Sequence, residues 1–96
     1  MENLNSIIDK LQEHKGELVE KYGFTQMAIF GSYARKQQNK DSDVDIMVEF
    51  NQPIGIQFID LAEELEKILS LKVDLVSKKG IKEKYYKSIE SELAYV

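Results

Sequence analysis

Residues 43–50, DVDIMVEF, carry an apolar side chain at every second position, and this alternation restricts the fold more than any other feature. A period of two residues is typical of a β-strand that turns one face towards a core. The predicted inner face holds Val44, Ile46, Val48 and Phe50, and the opposite face holds Asp43, Asp45, Met47 and Glu49. Two carboxylates, those of Asp43 and Asp45, therefore share one strand face about 6.6 Å apart, which is two strand rises.

The segments around this strand predict alternating helices and strands. Apolar residues recur at helical spacing from Leu4 to Val19, and Gly23 closes that pattern. The sequence MAIF at residues 27–30 predicts a strand, and a short helix can begin at Ser32. A second long helix from Phe58 to Leu69, a strand at residues 71–76 and a last helix that carries Ile81, Tyr85, Ile89 and Leu93 complete the chain. The predicted fold class is α/β (α+β), with the order α-β-α-β-α-β-α around one small sheet.

Length and composition narrow the possible functions. A chain of 96 residues with one proline predicts a single domain over residues 1–96, and 43% hydrophobic residues can fill one core. Seventeen acidic and 13 basic residues give a net charge of −4, which argues against direct binding of DNA or RNA. The absence of cysteine, of a signal peptide and of a long apolar run predicts a cytoplasmic protein without a membrane segment.

The two carboxylates of the alternating strand predict a metal site. Like charges this close repel each other, and a divalent cation offsets that repulsion. Oxygen ligands without histidine or cysteine suit Mg²⁺, or Mn²⁺, and such ions usually take further ligands from the phosphates of a substrate. The strand therefore predicts a substrate that carries phosphate groups.

Gly31, Ser32 and Asp74 supply the groups that such chemistry still needs. A glycine at a strand end lets a phosphate approach the backbone, and the following N–H groups and the Ser32 hydroxyl can donate to its oxygens. Phosphoryl transfer commonly uses a third acid to hold a second ion or to accept a proton. Asp74, between Val73 and Leu75, would lie about 4.8 Å from the metal-binding strand if the two strands are neighbours.

Gly31 and Ser32, followed after ten residues by Asp43 and Asp45, resemble the signature of nucleotidyltransferases with a DNA polymerase β-like core. The shortness of the chain makes it similar to the minimal nucleotidyltransferases (MNT), which are antitoxin partners of HEPN-domain ribonuclease toxins. The resemblance extends through the VDLV segment, residues 73–76, to the last helix. It implies a small mixed sheet flanked by helices, and transfer of AMP from ATP to a hydroxyl, thought to be that of a toxin tyrosine, with release of pyrophosphate.

By motif position, the resemblance implies that Gly31 and Ser32 bind the triphosphate, that Asp43 and Asp45 bind Mg²⁺, and that Asp74 completes the triad as a catalytic and metal-binding residue. Arg35, the only arginine of the chain, is a candidate for binding a nucleotide phosphate or the partner. One turn into a helix, it could equally form a surface ion pair.

Two alternatives to a toxin-modifying enzyme stay open. The chain could be an antitoxin that neutralises its partner by binding alone, although the complete motif argues against lost catalysis. It could also modify a small molecule such as an aminoglycoside. Transferases of that kind usually add a second domain for the acceptor, and 96 residues leave no room for one.

Overall fold

The computed structural model describes residues 2–96 as four strands and four α-helices, with two short 3₁₀ turns. The strands are β1 (Phe24–Phe30), β2 (Val44–Phe50), β3 (Val73–Ser77) and β4 (Ala94–Tyr95). The helices are α1 (Leu4–Tyr22), α2 (Gly31–Ala34), α3 (Gln57–Leu69) and α4 (Glu83–Ile89). The 3₁₀ turns are Lys78–Gly80 and Glu90–Glu92.

The strands form one mixed sheet in the order β3-β2-β1-β4. β1 runs antiparallel to both β2 and β4, whereas β2 and β3 are parallel. The crossover from β2 to β3 passes through α3, because parallel neighbours cannot be joined by a tight hairpin. The predicted class, a small mixed sheet flanked by helices, is confirmed.

Helix α1 begins and ends where its sequence predicts. The Asn3 side chain accepts a hydrogen bond from the Ser6 N–H at 2.9 Å, and the Ser6 hydroxyl accepts one from the Asn3 N–H at 3.1 Å. This capping box satisfies N–H groups that have no partner inside the helix. At the other end Gly23 adopts φ 73°, a left-handed conformation that glycine allows without strain and that directs the chain into β1.

The sheet buries side chains on both faces. Leucines and isoleucines of α1 and α3 pack on the face of β2 that holds Val44, Ile46 and Val48. On the other face Met47 packs with Ala28, Phe30 and Ile89 of α4. Met47 interrupts the alternation of β2 because this second face is also covered there. Asp45 and Asp74 lie on the α4 face, since they alternate with the residues of the larger core.

The C-terminal part of the chain differs from the sequence prediction. Helix α4 ends at Ile89, and Leu93 lies beyond it, between a 3₁₀ turn and the fourth strand, which was not predicted. Ile81 precedes the helix and Tyr85 is 52% exposed, so the predicted apolar stripe is not a single helix face. The strand escaped prediction because two residues are too few to show a period. In residues 2–96 we find no helix with the length and apolar character needed to cross a membrane.

Candidate active site

Asp45 and Asp74 lie side by side at one end of the sheet. The two residues are paired in the parallel register of β2 and β3, and Asp45 is also opposite Phe30, the last residue of β1. Neighbouring strands are separated by about 4.8 Å, so both carboxylates can reach one centre on the α4 face. The predicted neighbourhood of these two acids is therefore present.

Gly31 brings the backbone against the Asp45 carboxylate. Its φ is 75°, and a Cβ atom added there would lie 2.0 Å from Asp45 Oδ2 and 2.9 Å from Asp45 Cγ. A side chain at this position would be strained by the left-handed backbone, and it would also displace the Asp45 carboxylate. The turn after β1 thus places the Gly31–Ser32 segment directly beside the acidic pair.

The pKa of Asp45 is raised to about 6. Burial of the carboxylate is the largest cause, and the negative charges of Asp74 and Asp43 add to it, while Arg35 lowers the pKa in part. The raised pKa means that the ionised Asp45 carboxylate destabilises the fold, and a cation bound beside it would offset that cost. A perturbed pKa beside a glycine turn is typical of a functional site.

The donor set fits a hard divalent cation. Asp45 is half-buried, whereas Asp43, which lies one residue before β2, and Asp74 are exposed to solvent. Carboxylate oxygens at a partly open site suit Mg²⁺, which keeps several waters. Across residues 2–96, however, no three acidic or histidine side chains already stand close enough to hold an ion. Asp74 and Asp43 nevertheless lie near enough to Asp45 for their charges to raise its pKa.

Arg35 forms an ion pair with Glu92 at the same place. Arg35 Nη1 lies 2.9 Å from Glu92 Oε2 and 3.3 Å from Glu92 Oε1, and the Gly31 N–H donates to Glu92 Oε1 at 3.4 Å. Both expectations for Arg35 are thus compatible with its position, because it forms an ion pair next to the predicted phosphate site. Ser32 is half-buried in the same turn.

The structure therefore brings together Gly31, Ser32, Arg35, Asp45 and Asp74, with Asp43 at the edge. Sequence analysis missed Glu92. Its proximity to Gly31 depends on the pairing of β4 with β1, and no spacing in the sequence indicates that pairing.

The motif and its geometry agree with comparisons to known proteins. The sequence profile of the nucleotidyltransferase domain matches residues 11–96. The chain belongs to the nucleotidyltransferase family. A provisionally named protein adenylyltransferase of Methanocaldococcus jannaschii is 50% identical to this nucleotidyltransferase over the full length of both chains. The protein adenylyltransferase MntA of Thermococcus cleftensis is 43% identical over all of this chain and 98% of its own.

Solved structures share the fold of this nucleotidyltransferase. A provisionally named minimal nucleotidyltransferase superposes with a TM-score of 0.80 at 27% identity, over 96% of this chain and 94% of that one. A tri-AMPylated HEPN toxin of Shewanella oneidensis in complex with its MNT antitoxin gives a match with a TM-score of 0.62 at 23% identity, over 95% of this chain and 66% of the matched chain. The resemblance to minimal nucleotidyltransferases is confirmed.

Proposed function

We propose that this nucleotidyltransferase is an antitoxin that transfers AMP from ATP to a hydroxyl group, that of a tyrosine, on a HEPN ribonuclease toxin, and releases pyrophosphate. The observation that carries the proposal is the packing of Gly31 against Asp45, next to Asp74. This packing places a backbone turn whose N–H groups can bind phosphates next to a cluster of carboxylates. The relatives named as protein adenylyltransferases support AMP as the transferred group.

Each residue of the site has a task in this reaction. The N–H groups of the Gly31–Ser32 turn and the Ser32 hydroxyl donate to oxygens of the triphosphate, and Arg35 adds a positive charge. Asp43, Asp45 and Asp74 would hold Mg²⁺, which supplies positive charge to the reacting phosphates when bound. The acceptor oxygen forms a bond to the α-phosphorus and the bond to pyrophosphate breaks. Asp74 accepts the hydroxyl proton, or it would serve as a ligand of the ion that lowers the pKa of that hydroxyl when bound.

A folded protein is the acceptor that this site fits best. Asp74 is exposed on β3, which forms one edge of the sheet. A hydroxyl carried by a docked partner can therefore reach the acidic cluster from solvent, and docking aligns it with the α-phosphate. The fold likeness to an MNT antitoxin in complex with a HEPN toxin supports a toxin as that partner. The cytoplasm, where such toxins act on RNA, is the proposed location.

The experiment compares transfer of labelled AMP to the partner toxin by the wild type, Asp45→Asn and Asp41→Asn. Asp45→Asn should abolish Mg²⁺-dependent transfer. Its free energy of unfolding without metal at pH 7 should exceed that of the wild type, because a carboxyl with a raised pKa destabilises the fold when it is ionised. Asp41, an exposed acid in the preceding loop, is the matched control and should behave like the wild type. Full transfer by Asp45→Asn would refute the assignment of the site.

A further inference from the structure

Glu92 occupies two of the hydrogen-bond donors that the proposed function assigns to the nucleotide, the Gly31 N–H and the Arg35 guanidinium. Its carboxylate contacts the Gly31 N–H through Oε1 and the Arg35 guanidinium through both oxygens. The Glu92 side chain is only 16% exposed, whereas that of Arg35 is 47% exposed. A surface ion pair between two mobile side chains would be worth little. Here one partner is largely enclosed and also reaches the backbone, so the Glu92 carboxylate is held more firmly than in a fully exposed ion pair.

The position of Glu92 follows from the register of the sheet. Antiparallel pairing sets Ala28 opposite Tyr95 and Ile29 opposite Ala94. Continuing this register by two residues sets Glu92 opposite Gly31, the residue that follows β1 and whose N–H donates to Glu92. Glu90, at the start of the same 3₁₀ turn, is exposed to solvent and lies outside this register. The contact is therefore specific to one of the two glutamates.

A carboxylate and a phosphate group compete for such donors. Both are anions that accept hydrogen bonds from backbone N–H groups and, in a paired geometry, from arginine. The Glu92 carboxylate and a phosphate at this place would also repel each other. The acidic cluster around Asp45 adds negative charge, and Arg35 is the positive charge that acts on Asp45 there. Occupation by Glu92 and occupation by a phosphate thus exclude each other.

We propose that Glu92 holds the phosphate position in the nucleotide-free protein, and that its carboxylate must leave Gly31 and Arg35 when the triphosphate binds. The inference rests on the proposed function, since it concerns regulation of the same site. The sheet pairing that holds the segment carrying Glu92 is short, because β4 is joined to β1 by two residue pairs. By linkage, any partner that draws the C-terminal segment away strengthens nucleotide binding, and nucleotide binding releases that segment.

The test measures the dissociation constant of AMP-PNP in the presence of Mg²⁺ by calorimetry for the wild type, Glu92→Gln and Glu90→Gln. Glu92→Gln removes the competing charge and should lower the dissociation constant about ten-fold, the size expected for one unfavourable charge at a partly screened site. Glu90→Gln makes the same change of net charge two residues away, and its dissociation constant should stay within about two-fold of the wild type, as expected for an exposed charge.

The possible results separate this inference from the proposed function. If the wild type binds AMP-PNP and Glu92→Gln binds no more tightly than Glu90→Gln, the competition is refuted while the nucleotide site stands. Weaker binding by Glu92→Gln would refute it too, since Glu92 would then hold Arg35 in place for the nucleotide. If none of the three proteins binds AMP-PNP, the proposed function fails and the inference fails with it.

Discussion

At the scale of single residues, the site depends on a glycine that touches a carboxylate. Gly31 and Asp45 are fourteen positions apart in the chain, and the antiparallel pairing of β1 with β2 brings them together. The sequence predicts both residues because each belongs to a local pattern, a strand end or an alternating strand. Their contact could not be predicted, because it depends on how far the turn after β1 folds back.

Gly31→Ala should lower the free energy of unfolding by about 2–5 kcal/mol, since a left-handed backbone costs about 1–2 kcal/mol and a steric clash about 1–3 kcal/mol. The clash arises because the new Cβ would lie 2.0 Å from Asp45 Oδ2. Nucleotide transfer should also be lost, since the Asp45 carboxylate must move. Chemical denaturation and a transfer assay measure the two effects.

Two other glycines serve as matched controls. Gly23 has a φ of 73° and nothing within 4 Å of an added Cβ, so Gly23→Ala carries the backbone cost alone. Gly16, inside α1, also has open space, and Gly16→Ala should raise stability by about 0.5–1 kcal/mol through helix propensity. If Gly31→Ala is no more destabilising than Gly23→Ala, the contact with Asp45 does not restrict this position.

At the scale of elements, α1 and α3 are joined by a polar contact at the rim of the core. The Tyr22 hydroxyl donates to Glu64 Oε2 at 2.5 Å, and Lys21 Nζ lies 3.2 Å from the same oxygen. The hydrogen bond from Tyr22, with a further contribution from Lys21, holds the pKa of Glu64 below its usual 4.5. Burial and Glu64 together raise the pKa of Tyr22 to about 12. Periodicity predicts both helices, but it does not predict which of their polar residues meet.

Tyr22→Phe should lower the free energy of unfolding at pH 7 by about 1 kcal/mol, the typical net value of a hydrogen bond to a partly exposed charged group. The lowered pKa of Glu64 means that the wild type gains this stability above the usual pKa of 4.5 and loses it as the pH falls through the folded-state value. Denaturation curves of the two proteins should therefore converge in acid.

The double variant Tyr22→Phe/Glu64→Gln provides the control for this contact. Once Glu64 is neutral, removal of the Tyr22 hydroxyl should cost less than it does in the wild type, because a neutral acceptor makes a weaker hydrogen bond. Additive losses from the two substitutions at pH 7 would contradict a direct interaction between α1 and α3 at this place.

At the scale of the whole molecule, the sheet order explains how a chain of this size can hold a transferase site. β2 lies between β1 and β3. Three adjacent strands therefore bring together, at one end of the sheet, the Gly31 turn after β1, Asp45 of β2 and Asp74 of β3. The sequence predicts that Asp74 lies close to Asp45 if their strands are neighbours, and the pairing of β2 with β3 meets that condition. The C-terminal strand and the approach of Glu92 depend on long-range pairing, which leaves no period in the sequence.

A substitution at the exposed end of this sheet can distinguish an antitoxin that acts by catalysis from one that acts by binding alone. Asp74 is exposed and lies on an edge strand, so Asp74→Asn should keep the fold and the surface on which the partner docks. We expect this variant to bind the toxin as the wild type does, but to leave the toxin unmodified in intact-mass analysis, because the carboxylate proposed to accept the proton of the acceptor hydroxyl, or to hold the metal ion, is gone. The wild type should add AMP units to a hydroxyl side chain of the toxin, and Asp41→Asn, with the same change of charge in an exposed loop, should do so too. Neutralisation of the toxin should fail in Asp74→Asn alone. If instead the mass of the toxin never changes while both the wild type and Asp74→Asn suppress toxicity, the protein neutralises the toxin by binding alone, and catalysis at the acidic cluster is not required.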